Sequence, residues 1–78
     1  MMNEEAIGST FVKIRKRAGV TQQQLADVVG VSKTSVRNWE HGREEPRLFI
    51  WQVKALCQSL QCSLDDLPDS FKQKTPEN

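Results

Sequence analysis

The segment between Ser32 and Gly42 carries five polar side chains whose spacing suits one face of a helix: Lys33, Thr34, Arg37, Asn38 and His41. This stripe offers hydrogen-bond donors and acceptors and has no carboxylate. Lysine can donate to guanine O6 or N7, asparagine can bond adenine through two hydrogen bonds, and a threonine methyl can contact the thymine methyl. The stripe therefore favours contact with base edges in a DNA major groove, although an ordinary solvated helix face also suits these residue types.

The charge distribution of the chain supports this interpretation. The 78 residues carry a formal net charge of only +1. From Phe11 to Arg47, however, eight basic residues stand against four acidic ones, whereas the remainder has three lysines against six acids. The middle of the chain therefore nets +4 and the rest −3. This polarity concentrates attraction for a polyanion around the stripe.

Other kinds of chemistry find little support in the residue types. The only histidine, His41, and the two cysteines, Cys57 and Cys62, have neither the CxxC nor the HxxxH spacing of a zinc site. We expect both thiols to be reduced, with a disulfide as the less favoured alternative. A dyad of Cys57 and His41 would need an inward-facing and an outward-facing residue from different helices. The sequence therefore predicts no enzyme, and no metal, cofactor or small-molecule ligand.

The elements that position the stripe are helices. The first has Ile7, Phe11, Ile14 and Ala18 on one face and ends before Gly19, a residue suited to a left-handed cap. After Pro46, a longer amphipathic helix is predicted to face inward through Ile50, Val53, Leu56, Cys57 and Leu60. A brief last helix is expected to begin after Ser63 and to end at Pro68, with two residues facing inward, Leu64 and Leu67.

Two short helices with strong capping signals lie between these. Thr21 begins the second helix with a capping box, because Gln24 follows three residues later. Gly30 lies in the turn, where a positive φ suits glycine, and Ser32 caps the third helix. Ala26 provides the small side chain that a close crossing needs, and other apolar residues fix the interhelical angle: Leu25, Val29, Val31, Val36 and Trp39. This spacing, from about residue 22 to 41, is that of a helix-turn-helix unit.

The sequence resembles the Cro-like and lambda-repressor-like helix-turn-helix regulators, also called the xenobiotic-response-element family. The resemblance rests on two stretches, IRKRAGVTQQQLADVVGVSKTSVRNWEHGREEP and LCQSLQCSLDDL, within roughly residues 11 to 67. It implies an all-α fold, a compact five-helix bundle in which the third helix, about residues 33–41, enters the major groove. We expect one domain over residues 1–71 and a flexible tail over residues 72–78.

The resemblance also implies roles for individual residues. Those that would read bases lie on the third helix: Lys33, Thr34 and Asn38, with Arg37 beside them in reach of either a base or a phosphate. Those that would contact phosphates lie at helix starts and in the loop after the third helix: Gln22, Gln23, Ser35, Arg43 and Arg47. Arg15 and Glu40 match a family ion pair between the first and third helices, so Glu40 is not expected to read bases.

Two features depart from the family pattern. Glu44 and Glu45 put two carboxylates beside a loop expected to face phosphates. The segment after Pro46 is slightly longer than the usual family spacing, so Phe49 and Trp51 fall off the inward stripe. Either an extra helical turn buries these two aromatic side chains, or they form an exposed apolar patch for a partner, with dimerisation the favoured use.

Two classes of function follow. The first is a sequence-specific regulator of transcription that binds double-stranded DNA as a homodimer. We expect it in the cytoplasm, associated with the nucleoid, because the acidic N-terminus has no apolar signal and no apolar run approaches a membrane span. The alternative is a protein-interaction adaptor, such as an antitoxin-like neutraliser or an assembly factor. The low net charge and the Phe49 and Trp51 pair favour the adaptor, whereas the carboxylate-free stripe favours DNA.

Overall fold

Four α-helices and one 3₁₀ turn form the regular structure of the described part of the chain. The computed structural model describes residues 6–71, with side chains from residue 10 onward. The helices are α1 (Ala6–Ala18), α2 (Gln22–Val29), α3 (Lys33–Glu40) and α4 (Ile50–Leu60). The predicted all-α class is confirmed, whereas the predicted count of five helices is wrong. None of these helices is both long and apolar enough to cross a bilayer.

The segment predicted as a fifth helix forms only a single 3₁₀ turn, Leu64–Asp66. Leu67 ends this turn with an extended backbone, φ −82° and ψ 148°. It precedes Pro68, and the residue before a proline is disfavoured in the helical region. The turn therefore cannot lengthen into an α-helix. Leu64, predicted to face inward, is 63% exposed, whereas Leu67 packs against the core.

Local capping interactions set the ends of α2 and the start of α3. The Thr21 hydroxyl accepts a hydrogen bond from the Gln24 amide at 3.0 Å, and the Gln24 side chain accepts one from the Thr21 amide at 2.9 Å. Gly30 ends α2 with a φ of +80°. The Ser32 hydroxyl accepts a hydrogen bond from the Ser35 amide at 3.0 Å. All of these partners lie within a few residues of one another, so the sequence predicts these helix ends well.

The helices enclose one apolar core, in which α2 and α1 each pack against α3 and α4. The buried apolar side chains are Phe11, Ile14, Leu25, Ala26, Val29, Val36, Trp39, Leu56, Leu60 and Phe71. The Phe71 ring lies 4.8 Å from Phe11 and 6.5 Å from Trp39, measured between centroids, and both contacts are edge-to-face. No periodicity in the sequence marks Phe71, and its burial was not predicted.

The structure describes three of the four α1 side chains that were predicted to face inward. Phe11 and Ile14 are buried, and Ala18 is half-buried. Ile7 lies outside the described side chains, and the tail predicted over residues 72–78 lies outside the described residues.

The buried face of α4 differs from the predicted one. Leu56 and Leu60 are buried as predicted, but Ile50 is 75% exposed, and Val53 and Cys57 are only half-buried. The prediction for Ile50 was therefore wrong. In its place the helix buries Gln52, so that residues four apart, rather than three apart, line the core.

Gln52 is buried because its amide satisfies polar groups at two helix ends. Its Nε2 donates to the Val29 carbonyl at 3.0 Å, one of the last carbonyls of α2. Its Oε1 accepts from the Phe49 amide at 2.8 Å, at the start of α4. The groups at helix ends lack partners within their own helix. These two hydrogen bonds therefore account for the inward position of Gln52.

Candidate nucleic-acid interface

The outer surface of α3 is the first part of the candidate interface. Val36 and Trp39 hold the opposite side of this helix in the core. Five residues point away from them and form what we call the reading face: Lys33, Thr34, Arg37, Asn38 and His41. Asn38 is half-buried and the other four are exposed. His41 is the C-cap of α3, so the helical part of this face ends at Glu40, one residue earlier than predicted.

A basic depression of 450 Å³ borders the reading face where α2 begins. Its lining includes Lys16, Gln22, Gln23 and Lys33, from three different helices. The structure thus brings two of the residues predicted to contact phosphates next to one predicted to read bases. Lys16 was not among the predicted site residues. The signal for it in the sequence is its place in the last turn of α1, just before the glycine cap that turns the chain into α2.

The start of α2 is suited to hold an anion. The capping box engages the amide N–H of Gln24 and not those of Gln22 and Gln23. N–H groups in the first turn of a helix point outward at the positive end of its dipole, where phosphate is stabilised. The side chains here are partly engaged: Gln22 Nε2 donates to Glu40 at 2.8 Å, and Gln23 Nε2 donates to Asp27 at 2.9 Å. The backbone and the lysines therefore offer the more available donors.

A second depression, of 420 Å³, borders the other side of α3. Ser35, Arg43 and Arg47 line it together, which gathers the remaining residues predicted to contact phosphates. Both arginines are exposed. The Ser35 hydroxyl accepts a hydrogen bond from the Ser32 hydroxyl at 3.1 Å, which leaves its own proton for another acceptor. Basic groups therefore flank the reading face on both sides.

Glu45 has a role that the sequence did not reveal. Its carboxylate accepts hydrogen bonds from the Ser70 hydroxyl and from the Phe71 amide, the latter at 2.8 Å. This contact anchors the C-terminal segment that carries Phe71 into the core. Of the two carboxylates expected to weaken phosphate binding, one therefore has a structural function, and Glu44 remains exposed beside Arg43 and Arg47.

An ion pair holds the helices around the interface. Arg15 Nε lies 2.5 Å from Glu40 Oε2, and the two side chains are only 11% and 6% exposed. Arg15 also donates to the Val20 carbonyl at 2.8 Å, and Glu40 accepts from Gln22. The end of α1, the start of α2 and the end of α3 thus meet at one carboxylate. This network joins the three helices that border the reading face.

The described residues contain no group of three His, Cys, Asp or Glu side chains placed to hold a metal ion.

Comparison with known proteins decides the family. The sequence model of the helix-turn-helix family matches residues 12–67, which include most of α1 and all of α2, α3 and α4. This chain belongs to the helix-turn-helix family. Repressor protein C2 of Salmonella phage P22 is 35% identical to it over 66 residues, which are 85% of this chain and 30% of that protein.

Two further proteins are similar to this helix-turn-helix chain. The competence pilus inhibition repressor of Acinetobacter baylyi is 36% identical over 63 residues, 78% of this chain and 54% of that protein. The chain thus spans 30% and 54% of the lengths of these two curated relatives. The crystal structure of the clp gene regulator ClgR from C. glutamicum superposes with a TM-score of 0.62 at 27% identity, covering 85% of this chain and 82% of that chain.

In this helix-turn-helix protein the start of α4 exposes three consecutive apolar side chains. Phe49, Ile50 and Trp51 are 72%, 75% and 58% exposed. No extra helical turn buries Phe49 and Trp51, so the second of the two predicted arrangements, an exposed patch, is the one observed. Trp51 also lies against the turn between α2 and α3: its Cη2 is 3.4 Å from the position that a β-carbon on Gly30 would occupy.

Proposed function

We propose that this helix-turn-helix protein binds a specific double-stranded DNA sequence and regulates transcription. The observation that carries the proposal is the reading face of α3 with a basic depression on one side and, on the other, a depression in which Arg43 and Arg47 lie beside Glu44 and Glu45. A helix placed in the major groove has a phosphate backbone on either side of it. The flanking groups would supply affinity and orientation, while Thr34, Arg37, Asn38 and Lys33 would supply discrimination between bases.

The experiment is a selection from random-sequence duplexes, run with the wild type and with Asn38→Ala. We expect a short motif for the wild type. The variant should lose discrimination at one position of each half-site, because a good side-chain contact to a base is worth about 1–3 kcal/mol. Gln58→Ala is the matched control, since it removes an exposed amide from α4, outside the reading face. A motif that Asn38→Ala leaves unchanged would contradict this role for α3.

The proposed phosphate contacts can be distinguished from base contacts by the salt dependence of the binding constant. Arg43→Ala should weaken binding to all sequences alike and lower the salt slope of the binding constant by about one unit, because one fewer phosphate is neutralised. Asn38→Ala should leave that slope unchanged. Binding titrations at several salt concentrations measure both effects. Equal slopes for the wild type and Arg43→Ala would exclude Arg43 as a phosphate contact.

We further propose that the protein acts as a homodimer in the cytoplasm, associated with the nucleoid. The exposed segment Phe49–Trp51 supports a dimer, because contiguous apolar surface at a helix start is typical of an interaction site. A two-fold dimer would place its reading faces one DNA turn apart, about 34 Å, on a palindromic site. Sedimentation of the wild type and of Trp51→Ser, on a matching duplex, tests this: the variant should lose the species with two protein chains.

The same exposed segment supports a second candidate function, a protein-interaction adaptor with the helix-turn-helix fold. Pulldown from an extract with and without nuclease separates the two. Partners that disappear after nuclease treatment favour DNA binding. Partners that survive nuclease and are lost with Trp51→Ser, together with the absence of a selected DNA motif, would replace the DNA-binding proposal with the adaptor.

A further inference from the structure

The end of α4 brings the two cysteines of the chain together. The Cys62 amide donates to the Cys57 carbonyl at 3.1 Å, and the Gln61 amide donates to the Gln58 carbonyl at 3.2 Å. Gln61 has a left-handed backbone, with φ 54°. This pattern is a Schellman motif, in which the side chains at the positions of Cys57 and Cys62 commonly touch. In most proteins that contact is apolar, whereas here both of its members are thiols.

The electrostatics around Cys62 agree with a close approach of the two sulfur atoms. Burial raises the pKa of Cys62, and electrostatic repulsion from Cys57 and a hydrogen bond with it raise this pKa further. The Asp66 carboxylate acts in the same direction, and Arg17 opposes it. Both cysteines are free and partly exposed. Two thiols that face each other across a helix end, where the described residues form no metal-ligand group, are suited to join to each other.

The two thiols are both half-buried but have different surroundings. Cys57 lines an open surface depression of 630 Å³ whose walls include Ile50, Val53 and Leu64. Cys62 packs against the hydrophobic core. A reagent that enters this depression therefore meets Cys57, whereas Cys62 lies on the side of the core.

We propose that Cys57 and Cys62 form a reversible dithiol–disulfide site that exchanges with low-molecular-weight disulfides. The Cys57 thiolate attacks one sulfur of the external disulfide, forms a mixed disulfide and expels one thiolate. The Cys62 thiolate then attacks the Cys57 sulfur and expels the second. The protein loses two electrons to the external disulfide and two thiol protons to solvent, and the two expelled thiolates take up two protons from solvent to become thiols. The Schellman motif holds both sulfurs in place for the second step.

The test is an exchange equilibrium between the full chain and a mixture of oxidised and reduced glutathione, followed by acid quenching and intact-mass measurement. We expect the main oxidised product to be a monomer that has lost two hydrogen atoms. Repeating the equilibrium in denaturing urea isolates the contribution of the fold. The effective concentration of one thiol at the other should be on the order of tenfold higher in the folded protein, because the motif removes the entropy cost of closing the loop.

Single variants show the order of attack. Cys62→Ser should stop at a mixed disulfide on Cys57, and Cys57→Ser should form its mixed disulfide more slowly because Cys62 is packed against the core. The comparison of folded and denatured wild type needs no variant, so it stands even if a serine disturbs folding. Equal effective concentrations in the two states would overturn the proposal. Disulfides between chains, or stable mixed disulfides on both cysteines of the wild type, would also overturn it.

Discussion

The α2–α3 unit and the part of the chain from α4 to Phe71 follow their sequence patterns to different degrees. In the α2–α3 unit the N-caps, the glycine turn and the buried residues lie where the sequence places them, and only the end of α3 differs, by one residue. In the later part, Ile50 and Leu64 are exposed although they were predicted to face inward, and Gln52 and Phe71 are buried without a signal. The difference lies in the distance along the chain between interacting groups.

The α2–α3 unit is defined by partners a few residues apart. The Thr21 hydroxyl and the Gln24 amide, for example, are separated by three positions. The later part depends on remote partners: Gln52 contacts Val29, and Glu45 contacts Phe71. Hydrophobic periodicity identifies α4 as a helix but does not fix its rotation to within one residue. In the observed rotation, Gln52 satisfies polar groups at the end of α2 and at the start of α4.

The largest effect is expected for Phe71→Ala. Deleting this ring would open a cavity between Phe11 and Trp39, so the free energy of unfolding should fall by about 3–5 kcal/mol. The control is Phe49→Ala, which removes the same ring from a largely exposed site and should change stability by no more than about 0.5 kcal/mol. Urea unfolding measures both. Equal effects would mean that the C-terminal segment does not belong to the core.

The second-largest loss of unfolding free energy is expected when one partner of the ion pair between Arg15 and Glu40 is removed. Arg15→Ala leaves the Glu40 carboxylate buried without its cation, which should cost about 3 kcal/mol of unfolding free energy. Arg17→Ala, an exposed arginine on the same helix, is the matched control and should cost about 0.5 kcal/mol or less. The comparison tests whether the α2–α3 unit also depends on a remote contact. A neutral Arg15→Ala would show that local signals alone hold this unit.

A smaller loss of unfolding free energy is expected when the buried side-chain amide of Gln52 is removed from α4. Gln52→Leu keeps the side-chain bulk but leaves the Val29 carbonyl and the Phe49 amide without their hydrogen bonds. Each group left unsatisfied costs about 1–3 kcal/mol when buried, and partial access to water should keep the total near the lower end of this range. Gln58→Leu on the exposed side of α4 is the control. A more stable Gln52→Leu protein would show that burial of apolar surface, rather than hydrogen bonding, sets the rotation of α4.

The smallest effect is the difference in stability cost between replacing Gly19 and replacing Gly30 by alanine. Gly19 and Gly30 have φ values of +75° and +80°, so replacing either by alanine should cost about 1–2 kcal/mol. A β-carbon at Gly19 meets nothing within 4 Å, whereas one at Gly30 lies 3.4 Å from Trp51. Thermal unfolding of both alanine variants, repeated in a Trp51→Ala background, isolates this contact between the two regions. If Gly30→Ala costs more stability than Gly19→Ala, this extra cost should disappear when Trp51 is also replaced by alanine.

The sequence by itself determined the all-α class, the bounds of α2 and α3 within about one residue, and the residue types along the reading face. These features depend on backbone hydrogen bonds and caps between near neighbours, which a linear pattern records directly. The family resemblance supplied the Arg15 and Glu40 pair, and the structure places these two side chains in contact.

Only the tertiary structure decided which side of α4 is buried, that Phe71 completes the core, and that Lys16 joins Gln22 and Gln23 beside the reading face. It also placed Cys57 and Cys62 at one helix end. The turn after Ser63 ends before Pro68, as predicted, but it is a single 3₁₀ turn rather than a fifth α-helix, because Leu67 before the proline has an extended backbone. The other features arise when distant segments satisfy one another's polar groups and fill shared volume, and no spacing along the chain encodes those partners.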